Sequence, residues 1–190
     1  ISSLIYYILG DLYLDQKKFD ESFSYFQKSL QKAEVNSINV MLGDCLYGMA
    51  KICSVKPDHN NDFESYYQKA YDFAMTNKKD ETIIALKLLK IGMLVECGEN
   101  REATELIDSL LTESLDTNIK IPLYYYRYKA LKNPQDKNMS LHLLSPIIKQ
   151  APTILYKKII KELTDWYVLD CLLKAKTINI FLIPVSLFAV

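Results

Sequence analysis

The sequence predicts an all-α protein, a solenoid of four to five antiparallel helix pairs, and three observations carry that expectation. Apolar residues recur three and four apart through most of the chain, the spacing that lines one side of a helix. Short polar breaks interrupt the rhythm at Asp15-Gln16-Lys17-Lys18, Lys56 to Asn61, Cys97-Gly98-Glu99-Asn100 and Asn133-Pro134-Gln135-Asp136. Corresponding apolar positions Phe26, Tyr67 and Ile107 stand 41 and 40 residues apart, so the pattern repeats about every forty residues. A single helix pair cannot bury its apolar side alone. Stacking successive pairs closes a continuous core and leaves one face free, which suits binding better than chemistry.

The first pair is the clearest. Leu4, Ile5, Ile8, Leu9, Leu12 and Tyr13 form a wide stripe with Gly10 inside it. An interior glycine costs about 0.5–1 kcal/mol against alanine, so it implies close approach of a second helix. That helix carries Ser22, Phe23, Phe26, Ser29 and Leu30, and small Ser22 is expected to face the glycine notch. The second pair has Leu42, Cys45, Leu46, Met49, Ala50, Ile52 and Cys53, then Phe63, Tyr67, Ala70 and Tyr71, with Pro57 and the Asn60-Asn61 pair ending its first helix. The third has Ile84, Leu88, Ile91, Gly92 and Val95, then Ala103, Leu106, Ile107, Leu110 and Leu111. The fourth is less regular: Leu123, Tyr124, Tyr126, Ala130 and Leu131, then Leu141, Leu144, Ile147 and Ile148, with Pro146 expected to shorten or kink the second helix. Residues 153 to 175, from Ile154 through Trp166 to Leu173, read as one long helix that opens a fifth repeat or caps the array.

Bulk composition narrows the function. The chain has 190 residues, 49% of them apolar, enough for one packed domain spanning residues 1–176. Lys plus Arg and Asp plus Glu number 23 each, so the surplus of cations that phosphate backbones demand is missing and nucleic acid is not an expected partner. Cys45, Cys53, Cys97 and Cys171 lie far apart without a C-x-x-C pair, and there are two histidines, so neither a zinc site nor a disulfide framework is expected. Reduced, mostly buried thiols and a cytoplasmic setting follow. Ile1-Ser2-Ser3 lacks a Met and a basic leader, so the sequence reads as a piece of a longer chain without a signal peptide. No nucleophile with its base, no metal set and no phosphate loop is visible, so no enzyme and no cofactor are expected.

Tyr6-x2-Leu9-Gly10-x2-Tyr13 followed by Ser22-x3-Phe26 resembles the tetratricopeptide repeat (TPR). In the second unit Met49-Ala50, Cys53, Phe63 and Tyr67 take the corresponding places. In the third, Ile91-Gly92, Val95, Ala103 and Ile107 do so. The likeness covers residues 4 to 113 well and 120 to 176 loosely, and its period is longer than the family's usual thirty-four, as in the long-repeat members among bacterial regulators and sensors. It implies a right-handed superhelix whose concave groove, lined by the first helix of each repeat, binds a protein or peptide without catalysis. It implies as an alternative a fragment of a bacterial regulatory sensor or transcriptional regulator whose repeats bind a signalling peptide.

On that resemblance the groove candidates are Tyr7, Asp11, Tyr47, Lys51, Lys87, Lys90, Tyr124 and Arg127, the polar and aromatic residues beside the Leu-Gly positions and on the fourth unit's first helix. Each competes with an ordinary role as a solvated helix residue. The run Tyr124-Tyr125-Tyr126-Arg127-Tyr128 must point in at least two directions on a helix, so it offers either a stacking ring or packing against a neighbouring repeat. His59 and His142 have no partners for general-base work, Asp80-Glu81 and Glu99 read as helix-start charges, and Asn138-Met139-Ser140 matches a glycosylation acceptor. The apolar tail, residues 177–190, is uncharged from Ile178 to Val190. It is too short to span a bilayer, so it is either a cap folded on the last repeat or the start of a truncated membrane segment. The tail alone leaves a membrane open as a partner, and an uncovered array end leaves a homo-oligomer open.

Overall fold

The computed structural model describes residues 2–35, 39–56, 60–148 and 153–164. His59, Trp166, Cys171 and the apolar tail, with the expectations that fall on them, lie outside those residues. Among the described residues there are nine helices and no strand, so the protein is all-α. They are α1 (Ser3–Asp15), α2 (Phe19–Val35), α3 (Asn39–Val55), α4 (Asn60–Thr76), α5 (Asp80–Cys97), α6 (Asn100–Leu111), α7 (Thr117–Leu131), α8 (Pro134–Leu144) and α9 (Ile154–Leu163). Contacts divide the chain into two compact units, Ile1–Met93 and Leu94–Val190.

In the first unit α1 packs on α2, α2 on α3, α3 on α4, and α1 also touches α3. Ser3 meets Ser29 while Gly10 meets Ser22, so α1 and α2 run antiparallel. The serines hold this crossing through the backbone. Ser22 Oγ donates to the Gly10 carbonyl at 2.7 Å, Ser3 Oγ to the Ser29 carbonyl at 3.0 Å, and Ser29 Oγ to the Ser3 carbonyl at 2.8 Å. The notch at Gly10 itself is filled by Phe26. A Cβ on Gly10 would lie 2.7 Å from one edge of the ring, and a Cβ on Gly48 of α3 would lie 2.7 Å from the opposite edge. One ring, 1% exposed, thus occupies two glycine notches on two helices. Leu14, Cys45, Met49 and Ile52 complete this cluster, and a second one joins Leu46, Ala50, Cys53, Phe63, Tyr67 and Ala70 to Leu86 of α5.

In the second unit α6 packs on α7, α7 on α8 and α8 on α9. Its core is Ile121, Tyr125, Leu144, Ile148, Tyr156, Ile159, Ile160 and Leu163. Ser140 Oγ donates to the Ile121 carbonyl at 3.1 Å, the same small-residue device that joins α1 to α2. Ser140 is therefore buried inside α8, and Asn138-Met139-Ser140 is part of a packed helix.

Helix ends explain where the sequence reading slipped. α1, α4 and α5 all stop in the same doubly bonded turn: the N–H groups of Lys17 and Lys18 bond to Leu14 and Tyr13, those of Lys78 and Lys79 to Met75 and Ala74, and those of Gly98 and Glu99 to Val95 and Leu94. Lys17 (φ 59°), Lys78 (φ 54°) and Lys132 (φ 56°) adopt the left-handed conformation that Gly98 (φ 81°) adopts without a Cβ to obstruct it. Asn133-Pro134-Gln135-Asp136 is not a turn. Asn133 accepts from the Gln135 N–H as an N-cap and Pro134 opens α8, where its missing N–H costs nothing. Asn60 and Asn61 likewise begin α4 rather than end α3. α8 stops at Leu144, so Ile147 and Ile148 lie in the following turns around Pro146. The helix expected from 153 to 175 ends at Leu163, where Thr164 is extended (φ −123°, ψ 145°); the rest of that stretch lies outside the described residues.

Candidate functional site

Four of the sequence-predicted groove residues belong to α1 and α3. Tyr7, half-buried, sets its ring 5.9 Å from that of Phe26, and the exposed Asp11 lies one turn further along α1. Asp44, Tyr47 and Lys51 follow one another on α3, Tyr47 half-buried and Lys51 exposed. Burial first, and then the charges of Asp11 and Asp44 with contributions from Cys45 and Tyr47, raises the pKa of the Tyr7 phenol. Burial alone raises that of Tyr47. Both phenols therefore stay protonated through the physiological range and can donate hydrogen bonds, Tyr7 beside two carboxylates. The α1 and α3 face thus presents donors, acceptors and negative charge.

The lysines of α5 are placed otherwise. Lys90 Nζ sits 3.6 Å from Glu64 and 5.4 Å from the centre of the Tyr67 ring, both on α4, so it is packed along the second helix of the preceding pair. Lys87 is half-buried one turn before it.

In the second unit, Tyr124 and Arg127 come together on α7, the guanidinium 5.2 Å from the centre of the Tyr124 ring. Arg127 Nε and Nη2 donate to Asp136 Oδ1 at 2.9 and 2.7 Å, and Nη1 donates to Asp108 Oδ1 at 2.7 Å. Burial works against the Arg127 charge, but the hydrogen bonds to Asp136 and Asp108 outweigh it and raise the pKa. Arg127 therefore spends its fork on tying α6, α7 and α8 together. The other oxygen of Asp136, Oδ2, is buried with no hydrogen-bond partner among the described residues.

A second polar knot surrounds Tyr125, which is fully buried while its neighbours Tyr124, Tyr126 and Tyr128 are half-buried. Its hydroxyl donates to Glu162 Oε2 at 2.5 Å, and burial, followed by that hydrogen bond and the Glu162 charge, raises its pKa. Lys129 Nζ lies 2.6 Å from Glu96 and 3.8 Å from Glu162, 5.8 Å from the centre of the Tyr125 ring. Sequence reading missed Asp44, Asp108, Asp136, Glu96 and Glu162, because each lies remote in sequence from the residue it serves or reads as a routine surface acid. The hint for Asp136 was its place in the first turn of a helix that begins Asn-Pro.

His142 is exposed on α8, and Asp80 and Glu81 occupy the first turn of α5, where negative charge meets the helix dipole. Glu99 flanks α6 without a side-chain capping bond. Among the described residues no group of three or more His, Cys, Asp or Glu could hold a metal, and no described helix is long and apolar enough to cross a membrane. Comparison with family models, curated proteins and solved structures gave no match.

Proposed function

We propose that the chain is a non-catalytic interaction module of tetratricopeptide type, a right-handed array of helix pairs whose first helices present a groove to a peptide or helix of a protein partner. The observation that carries this reading is the contact of α1 with α3, the first helices of two successive pairs, with Asp11, Asp44 and Tyr47 all in electrostatic reach of Tyr7. The repeat positions support it: Ser22, Phe63 and Ala103 are buried, as are Phe26, Tyr67 and Ile107. So does the α1 and α2 crossing, where the small residue and the aromatic of the motif both meet Gly10.

Large half-exposed tyrosines flanked by carboxylates suit a ligand that offers donors or a cation and an apolar side chain. The test is selection of a random peptide display library on the protein, repeated on Asp44→Lys and Lys51→Glu variants. The reading expects enriched peptides that lose binding about tenfold or more on at least one variant. Enriched peptides indifferent to both substitutions, or no enrichment at all, would remove it.

A further inference from the structure

The side of α1 turned away from α2 carries a different signal. Ser3, Gly10 and Leu14 bury one side of α1, while Leu4, Ile5, Ile8 and Leu12 are 51, 48, 53 and 50% exposed on the other. Single exposed aliphatics are ordinary, but four on one face of one helix make a contiguous apolar patch. Leu4, Ile8 and Leu12 follow each other at a spacing of four, the ridge that seats in the groove of another helix. The period-two pattern of a strand has no match in that ridge.

Charge distinguishes the occupants. α1 contains Asp11 and Asp15 and no Lys or Arg. Both aspartates are exposed, and among the described residues neither has an ion-pair partner. An anionic lipid surface is repelled by that edge. A second copy laid antiparallel, α1 to α1, sets those aspartates against a helix start that holds no cation; Lys17 and Lys18 follow Asp15 at the other end, and Lys18 is held over the Tyr13 ring. We propose that this face docks an amphipathic helix of another protein, with an apolar stripe edged by Lys or Arg that pairs with Asp11 and Asp15. Asp11 also borders the proposed groove, but the groove test turns on Asp44 and Lys51 and this one on Ile8, so failure of one reading is distinguishable from failure of the other.

The test uses the full chain and two synthetic helical peptides that share a Leu stripe, one edged with Lys and the other with Glu, followed by fluorescence anisotropy. The Lys peptide is expected to bind about tenfold tighter at low salt, with the gap closing as ionic strength rises. Ile8→Glu should abolish that binding, whereas Leu131→Glu, at an exposed leucine of α7, should leave it unchanged. An Asp11→Asn, Asp15→Asn double variant should narrow the Lys to Glu gap while keeping the circular dichroism of the parent. Equal binding of the two peptides, binding of neither, or binding insensitive to Ile8→Glu overturns the proposal. So does sedimentation as a dimer that Ile8→Glu dissolves, which assigns the face to a second copy.

Discussion

The two units solve the same packing problem with different chemistry. In the first, α1, α2 and α3 meet through shape: two glycines clear room for one ring, and serines stitch the crossing to backbone carbonyls. In the second, one serine stitch joins α7 to α8, and charge does the rest: Arg127 clamps Asp108 and Asp136, and Tyr125 and Lys129 converge on Glu162. A shaped joint fails by clash or cavity. A charged joint fails when one partner is removed and the other stays buried.

Phe26→Ala strikes the shaped joint hardest, since it empties both glycine notches at once, and is expected to cost about 3–5 kcal/mol in urea denaturation. Hydrogen exchange should confine the loss of protection to the first unit. A comparable loss in α7 to α9 would show that the two units do not unfold separately.

Arg127→Met is next. It leaves Asp136, 3% exposed, without its cation, and should cost about 2–3 kcal/mol. Adding Asp136→Leu should recover most of that loss, which is the behaviour that separates a charged joint from a cavity. If the double variant is as weak as the single, the clamp acts through packing of the Arg127 stem.

Gly48→Ala sets two effects against each other. Alanine favours a helix by about 1 kcal/mol, yet its Cβ would press the Phe26 ring, which Gly10 blocks on the other side. The net expectation is destabilisation of about 1–2 kcal/mol, and a gain in denaturation midpoint would mean that the ring has room to shift.

Glu96→Gln should have the smallest effect. The hydrogen bond from Lys129 holds the Glu96 carboxyl below its ordinary value of 4.5, with burial opposing and the Lys129 and Lys158 charges assisting. A depressed folded value means that the ion pair stabilises fully above pH 4.5 and loses its effect as pH falls through the folded value. The side chain is 58% exposed, so the difference at neutral pH should stay under about 0.5 kcal/mol and vanish on acidification. A difference that persists at low pH would point to packing.

This contrast also explains what could be read in the sequence. The first unit was legible because shaped joints use unusual residues at fixed spacing: Gly10, Ser22 and Phe26 advertise a close crossing, and all three meet there. Of the candidate groove, Asp11 and Tyr47 both come within electrostatic reach of Tyr7, while Lys90 is drawn to Glu64 and Tyr67 by the ordinary packing of α5 on α4. Arg127 was visible as a cation among tyrosines, but its partners lie 19 and 9 residues away on other helices, and an acid carries no local mark of the cation it will meet. Turn residues misled in the other direction. Asn133 and Pro134 serve a helix start as well as a break, and Lys17, Lys78 and Lys132 end helices in a conformation that lysine does not announce.

The cysteines of α3 carry one more consequence. Burial, followed by the charge of Asp62, pushes the Cys53 thiol up to about 11, and burial likewise raises Cys45, whereas Cys97 is exposed at the end of α5. At neutral pH Cys53 is therefore held as the thiol, and both α3 cysteines are buried. An alkylating reagent therefore meets Cys97 at once and reaches Cys45 and Cys53 through transient opening of α3. Among the described cysteines the chain holds its own stopwatch: the lag between the label on Cys97 and those on Cys45 and Cys53 times how often the shaped joint around Phe26 comes apart.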